Sequence, residues 1–271
     1  MNIAKRLATA AVMLSLVFAV LFFGSPWVVF LFLQLAVVGC LVEFYNLARR
    51  RKLHPRTGPG ILMALLIGAS FIVPGLSLGL CLFAGLLLMG FYYVAVTRTV
   101  ESAVQVTESI AVTVFGAVYV GLTLNFFLPL RQEFGVSAVL FLMAVIFLGD
   151  TGAFLIGKAV GRRKMTPIAS PHKTWEGAVG GWVTAAFSAW AAQAVFLPRA
   201  DALSAVGVGL AVSLVAQVSD PLESLFKRAA GVKDSSNALP GHGGILDRVD
   251  SLIFAAPLYY FLLRYLWNPG G

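Results

Sequence analysis

Apolar residues in this chain come in long, nearly unbroken runs, and short polar stretches separate one run from the next. A helix that crosses a hydrocarbon layer about 30 Å thick needs roughly 20 such residues. Nine runs fit, at residues 8–24, 27–44, 61–79, 80–97, 109–130, 136–157, 177–197, 202–219 and 249–267. The pattern therefore predicts an all-α integral membrane protein, a polytopic helical bundle of about nine transmembrane helices. Lys5 and Arg6 precede the first run as they would in a secretory signal. The run ends in "FFGSPW" rather than a small-residue cleavage site, so it reads as a retained helix.

Composition agrees with the pattern: of 271 residues, 59% are hydrophobic and 12% charged, with a mean hydropathy of +0.88. So little polar surface cannot coat a soluble core. The net charge of +8 would suggest nucleic acid in a soluble protein, but here its placement matters more. With the amino terminus cytoplasmic, nine spans put 17 of the 20 Lys and Arg residues on the inner side and leave Arg131, Arg199 and Arg264 outside. That bias satisfies the positive-inside rule, sets Trp27 and Trp267 in an outer aromatic belt, and makes the bilayer the partner rather than nucleic acid. The expected location is the inner (cytoplasmic) membrane. The basic run "RRRKLHPR" (49–56) reads as a topology anchor. Cys40 and Cys81 stand singly in apolar runs and read as packing residues.

No repeat or low-complexity linker divides the chain, which is treated as one membrane domain. Within it, residues 1–135 supply amino-terminal helices for packing, dimer or lipid contact, and 136–271 supply the catalytic region. The acidic residues carry this asymmetry. Glu43, Glu101, Glu108, Glu133 and Asp201 are scattered near span ends as ordinary interfacial charges. The other seven, Asp150, Glu176, Asp220, Glu223, Asp234, Asp247 and Asp250, occupy two stretches that flank the seventh and eighth spans and so face one side, the cytoplasm.

Acids at membrane depth are costly, which makes function the default suspicion. Asp247 and Asp250 lie three apart at the start of the ninth span, where like charges repel unless a cation is near. Asp220 closes the eighth span; "DPLE" (220–223) also reads as a capping box opening a short helix that Gly231 ends. Oxygen ligands without cysteine favour Mg²⁺, which takes one or two carboxylates and completes its shell with substrate phosphates. "LPGHGG" then offers what phosphates need, with Gly243 and Gly244 letting backbone N–H groups approach and a helix N-terminus following. Lys227, Arg228, Lys233 and Arg248 add positive charge, and His242 is either a phosphate donor or an exposed loop residue. In the other stretch, Asp150 falls inside an apolar run, either ion-paired or lining a polar cavity. Ser170-Pro171 reads as a helix start, Lys173 as a phosphate ligand, Glu176 as a supporting acceptor or cap, and Trp175 as an interface anchor or a base-stacking ring. Gly177 and Gly181 form a GxxxG packing motif.

Residues 224–250, "SLFKRAAGVKDSSNALPGHGGILDRVD", resemble the signature of the phosphatidate cytidylyltransferases, also called CDP-diacylglycerol synthases. "DTGAFLIGK" and "SPHKTWEG" resemble the family's other recurrent stretch, so the likeness covers about the half from Asp150 to Ser251. His172, Ser219 and Pro221 depart from the residues expected there, which bears on how the carboxylate at 220 is presented. The resemblance implies a dimeric helical enzyme that joins CTP and phosphatidic acid to give CDP-diacylglycerol and pyrophosphate. Mg²⁺ would be its cofactor, with room for a monovalent cation such as K⁺. Asp220, Asp247 and Asp250 are then assigned to metal. Lys227, Arg228, Lys233, His242 and Arg248 go to phosphates with Asp234 orienting Lys233, and Asp150, Lys173, Glu176, Ser224, Gly243 and Gly244 to substrate binding. The competing class is a cation-coupled membrane transporter, since acids within a membrane also line ion paths. Clustering of the charges at one face, without matching broken helices, speaks against it.

Overall fold

The computed structural model describes residues 3–266, with side chains from residue 9 onward, so Trp267 and the side chains of Lys5 and Arg6 lie outside the described residues. Helices dominate, and four helical stretches among the described residues are long and apolar enough to cross a membrane: Pro26–Arg50, Leu78–Val96, Val106–Val160 and Ala202–Ala229. The chain packs as two compact units, Met1–Leu128 with Ala229–Arg248, and Pro129–Arg228 with Val249–Gly271.

In the first unit, α1 (Ile3–Phe23) leads into α2 (Pro26–Arg50), whose first turn is capped by Ser25 accepting from Val28 N. Arg49 and Arg50 close α2 at the negative end of its dipole. Next come α3 (Thr57–Ala69) and α4 (Leu78–Val96). The run 61–79 is not one continuous helix: α3 has 13 residues, is about 20 Å long and stops at Ala69. Turns take over from Ser70, and Gly75 adopts φ +81° before Ser77 caps α4. The short α5 (Val100–Val104) precedes α6 (Val106–Gly116), which continues through a π segment (Ala117–Leu122) into α7 (Thr123–Asn125). Buried Tyr45 donates to Thr113 O at 2.7 Å, and Gln34 Nε2 donates to Asn125 Oδ1 at 2.7 Å, so polar pairs tie α2 to α6 and α7 inside an apolar core. Cys40 and Cys81 are buried, as packing residues are, and no disulfide joins them among the described residues.

In the second unit, α8 (Phe127–Val160) is interrupted at Gly135, whose φ of +81° separates the two runs read as spans. Helix α9 (Trp175–Phe196) crosses α8 on small residues. A Cβ at Gly181 would lie 2.9 Å from Ala153 Cβ, and one at Gly177 2.8 Å from Ala153 O, so only glycine permits this approach. Between them a hairpin, β1 (Lys164–Thr166) with β2 (Ser170–Thr174), departs from the all-α expectation. Ser170-Pro171 therefore extends a strand, and α9 starts later, where Thr174 accepts from Gly177 N at 3.2 Å. Helix α10 (Ala202–Ala229) passes through Pro221 without stopping. The capping box at 220–223 does not form, because a proline kept inside a long packed helix forfeits one backbone bond but not the helix. Helix α11 (Leu246–Tyr265) ends the described chain, with Tyr259 fully buried against Phe141.

Candidate active site

Asp150 on α8, Asp220 on α10 and Asp250 on α11, all in the second unit, lie near enough to repel one another. Two lysines oppose them. Lys173, on β2, sets its Nζ 2.6 Å from Asp220 Oδ2. Buried Lys227 is ion-paired with Glu223 one helical turn earlier and also acts on Asp250. Hydroxyls hold the frame: Ser251 Oγ donates to Asp150 Oδ2 at 3.1 Å, Ser251 N donates to Asp250 Oδ1 at 2.7 Å, and Ser219 Oγ donates to Asp250 O. Ser219, one of the departures from the family pattern, thus links α10 to α11. Ser224 Oγ stands 3.5 Å from Asp220 Oδ1, which makes it a neighbour of that carboxylate. Among the described residues, the carboxyl groups of Asp150, Asp220, Glu223 and Asp250 thus stand with Lys173 and Lys227 in one cluster, a gathering of hard oxygen atoms that suits a cation.

Around them, Arg228 Nε donates to Ala169 O at 3.2 Å, tying α10 to the hairpin. Glu176, just outside the run 177–197, accepts from Arg162 N at 3.0 Å and Arg163 N at 3.1 Å. Those N–H groups, Arg162's first, hold its carboxyl below the usual carboxylate range. It fastens the start of the hairpin to the start of α9. Trp175 is half exposed, and its backbone N donates to Arg163 O.

The glycine loop belongs to the first unit, and its architecture differs from the one read in the sequence. Asp247 Oδ2 accepts from Ser235 N, Ser235 Oγ and Gly244 N at 2.9, 2.9 and 2.7 Å. Glu43, on α2 and buried, accepts from Ser235 Oγ at 2.9 Å, Ser236 Oγ at 2.6 Å, Ile245 N at 3.0 Å and Leu246 N at 2.8 Å. Arg51, further along α2, donates to Ala229 O at 3.2 Å, where the loop leaves α10. The anion at the start of α11 is thus supplied by the protein itself. Gly243 and Gly244 make room for these carboxylates: a Cβ at Gly243 would lie 2.6 Å from Asp247 Oδ2, and one at Gly244 would overlap Ser235 Oγ and Glu43 Oε2. The backbone N–H groups of Gly244, Ile245 and Leu246 thus have carboxylate partners within the protein. Lys233, Asp234 and Arg248 are exposed, and no ion pair joins Lys233 to Asp234 among the described residues. His242 is half-buried, with its Nδ1 3.4 Å from Pro240 O.

The trio assigned to metal is therefore divided, Asp220 and Asp250 in the second unit and Asp247 in the first. Among the described residues no three carboxylate, histidine or cysteine side chains form a ready-made cage. Mg²⁺ does not require one, since one or two carboxylates suffice when phosphates complete the shell. Glu43, read in the sequence as an interfacial charge, is the α2 carboxylate that takes the loop's hydrogen bonds. A lone acid within a long apolar helix, and two adjacent serines in the loop, were the available signals.

By fold, this is a helical membrane protein with an acidic cluster, in which two lysines stand, at three helices. Comparison with known proteins is more specific. The model of the cytidylyltransferase family matches residues 4–266. A phosphatidate cytidylyltransferase of Bacillus subtilis (strain 168) is 36% identical over 255 residues, 86% of this chain and 92% of that protein. One from Staphylococcus aureus (strain COL) is 43% identical over 145 residues, 54% of this chain and 55% of that protein. The chain belongs to the cytidylyltransferase family.

Proposed function

We propose that this chain transfers CMP from CTP to phosphatidic acid, releasing pyrophosphate and forming CDP-diacylglycerol for phospholipid synthesis. What carries the reading is the kinship along 86% of the chain with a protein of that named activity. Nothing found favours the cation-coupled transporter.

The chemistry suits the residues. A lipid phosphate monoester has its second pKa near 6, so at neutral pH it is already largely an anionic nucleophile and needs no general base. The site must bring two polyanions together and align attack on the α-phosphorus opposite the leaving pyrophosphate. Asp220 and Asp250, with Asp150 beside them, are the carboxyl groups whose grouped oxygens fit a divalent cation, and Asp247 is assigned to the same metal through the family signature. Mg²⁺ bound there would neutralise phosphate charge and draw the two substrates together. Lys173 and Lys227 hold the acids in place between turnovers. Exposed Lys233 and Arg248, with Arg228 and His242, meet the phosphates through their side chains, since the N–H groups at 244–246 already have protein partners. In this reading nine spans, an amino terminus in the cytoplasm and a site on the cytoplasmic face of the inner membrane follow from the lysine and arginine bias. The resemblance adds a homodimer, checked by the mass of the protein in lipid nanodiscs.

The deciding experiment gives purified protein labelled CTP with and without phosphatidate and Mg²⁺. Pyrophosphate release that requires both supports the proposal. Release without lipid, or none at all, defeats it.

A further inference from the structure

Glu43 is a buried carboxylate with no lysine or arginine partner among the described residues. All its described contacts are donors from a loop about 200 positions away: two serine hydroxyls and two successive backbone N–H groups. A bare carboxylate would not be buried on packing grounds alone, because desolvation is costly unless hydrogen bonds replace water. Here each oxygen receives one hydroxyl and one N–H, which is the full set a carboxylate needs and which fixes both its plane and the loop's. The contact continues inward. Ser235 Oγ is 2.9 Å from Glu43 Oε2 and also 2.9 Å from Asp247 Oδ2, so its single proton is shared between the helix α2 acid and an acid of the family signature. Gly244 has no side chain to obstruct this, and Gly39 on α2 leaves the space that Ile245 occupies. Helix α2 thereby serves as the template on which the signature loop is set.

We propose that Glu43 is a positioning residue for nucleotidyl transfer, holding the loop 234–246, and through Ser235 the carboxylate of Asp247, in the geometry that presents His242, Lys233 and Arg248 to the nucleotide. The proposal rests on the cytidylyltransferase reading, and its test is chosen to fail separately from that reading. Glutamine at 43 keeps the size of the side chain, but its single oxygen cannot serve four donors, and its amide hydrogens confront N–H groups. The test compares wild type, Glu43→Gln and a Ser235→Ala/Ser236→Ala double variant as full-length proteins in nanodiscs. Two quantities are read: half-saturating CTP at fixed phosphatidate, and hydrogen exchange of the loop amides without nucleotide or metal.

Glu43→Gln is expected to raise half-saturating CTP at least about tenfold and to speed exchange at residues 235 and 244–246 by at least as much. Amides in the core of α2 keep their protection. The double variant alters only the loop side, so it reports even if glutamine at 43 prevents folding, and its expected rise in half-saturating CTP is about threefold to tenfold. If either folded variant loses turnover while half-saturating CTP and loop exchange stay within twofold of wild type, Glu43 is merely structural and the proposal is overturned. A wild type that releases no lipid-dependent pyrophosphate sinks the assigned reaction instead, and the exchange measurement still judges whether Glu43 orders the loop.

Discussion

Lys173→Met and Asp220→Asn, made singly and together, separate an internal ion pair from a substrate contact. Lys173 Nζ and Asp220 Oδ2 are 2.6 Å apart, with side-chain exposures of 32% and 26%. At that distance unit charges attract by about 1.6 kcal/mol at the dielectric of water and about 6 kcal/mol at an effective value near 20. Desolvation and the ordering of a long lysine cancel most of the larger figure, leaving a net coupling of about 1–2 kcal/mol. Lys173→Met should lower stability by about that amount and Asp220→Asn by less, since it also relieves repulsion from Asp150 and Asp250, while the double variant should cost less than the two together by the same coupling. The midpoint of unfolding by SDS, measured in mixed micelles, reads this. Activity divides differently. Lys173→Met leaves the Asp220 carboxylate in place and should cost about tenfold in turnover, the usual scale for a residue that orients a metal ligand. Asp220→Asn and the double variant should both lose on the order of a hundredfold or more. Stabilities additive to within about 0.5 kcal/mol would refute the ion pair. A Lys173→Met enzyme as impaired as Asp220→Asn would put Lys173 on substrate instead.

Asp247→Asn keeps an acceptor oxygen but removes the charge that strengthens three loop hydrogen bonds. It should abolish activity at ordinary Mg²⁺ in protein that still extracts and folds; near-normal turnover would take Asp247 out of the site. Gly181→Leu drives side-chain atoms into Ala153, Gln217 and the Gly149 carbonyl, and should destabilise by about 1–3 kcal/mol in the same SDS titration. An unchanged midpoint would mean that α8 and α9 can move apart freely. Chelation with EDTA should stop pyrophosphate release and added Mg²⁺ should restore it; activity that persists in EDTA would leave the carboxyl cluster without its cation.

What was legible in the sequence follows from the range of the forces involved. Long apolar runs report the helices directly, because burial in lipid acts residue by residue, and Gly177 with Gly181 announced a close crossing that the structure contains. The helix ends were less legible. "DPLE" carries every local sign of a helix start, yet α10 runs on because the residues on both sides of Pro221 are packed: Ser219, Glu223 and Ser224 are all buried. "SP" at 170 likewise reads as a cap, but the segment pairs with residues 164–166 and its strand ends at the true cap, Thr174. Within the site, Asp220 and Asp250 were drawn from the pattern, whereas Lys173 as the counterion of Asp220 and Glu223 as that of Lys227 needed geometry, since each was given a role by its own neighbourhood. Glu43 was out of reach for the opposite reason. Its partners are 192 to 203 positions away, and standing as the lone acid of apolar α2 marks it without naming what it binds.

Two acids fasten a loop proposed to receive a polyanion, which on charge alone is unfavourable; burial and orientation resolve it. Glu43 is buried, and its oxygens are turned to hydroxyl and N–H donors of the loop. Asp247 is half-buried, with Oδ2 given to three such donors. A carboxylate satisfied in this way spreads its charge into the hydrogen bonds that hold it. Lys233 and Arg248, at the two ends of the same segment, are exposed and outnumber the one exposed acid there, Asp234. The separation has a cost, because the N–H groups at 244–246 are then spent on holding the loop. Phosphate recognition passes to side chains, which are longer and more strongly screened by salt than a backbone nest. Binding of CTP should accordingly weaken steeply as ionic strength rises, more steeply than a backbone cradle would allow. A half-saturating CTP concentration that is flat between low and physiological salt would return the phosphates to the backbone and undo this division of labour.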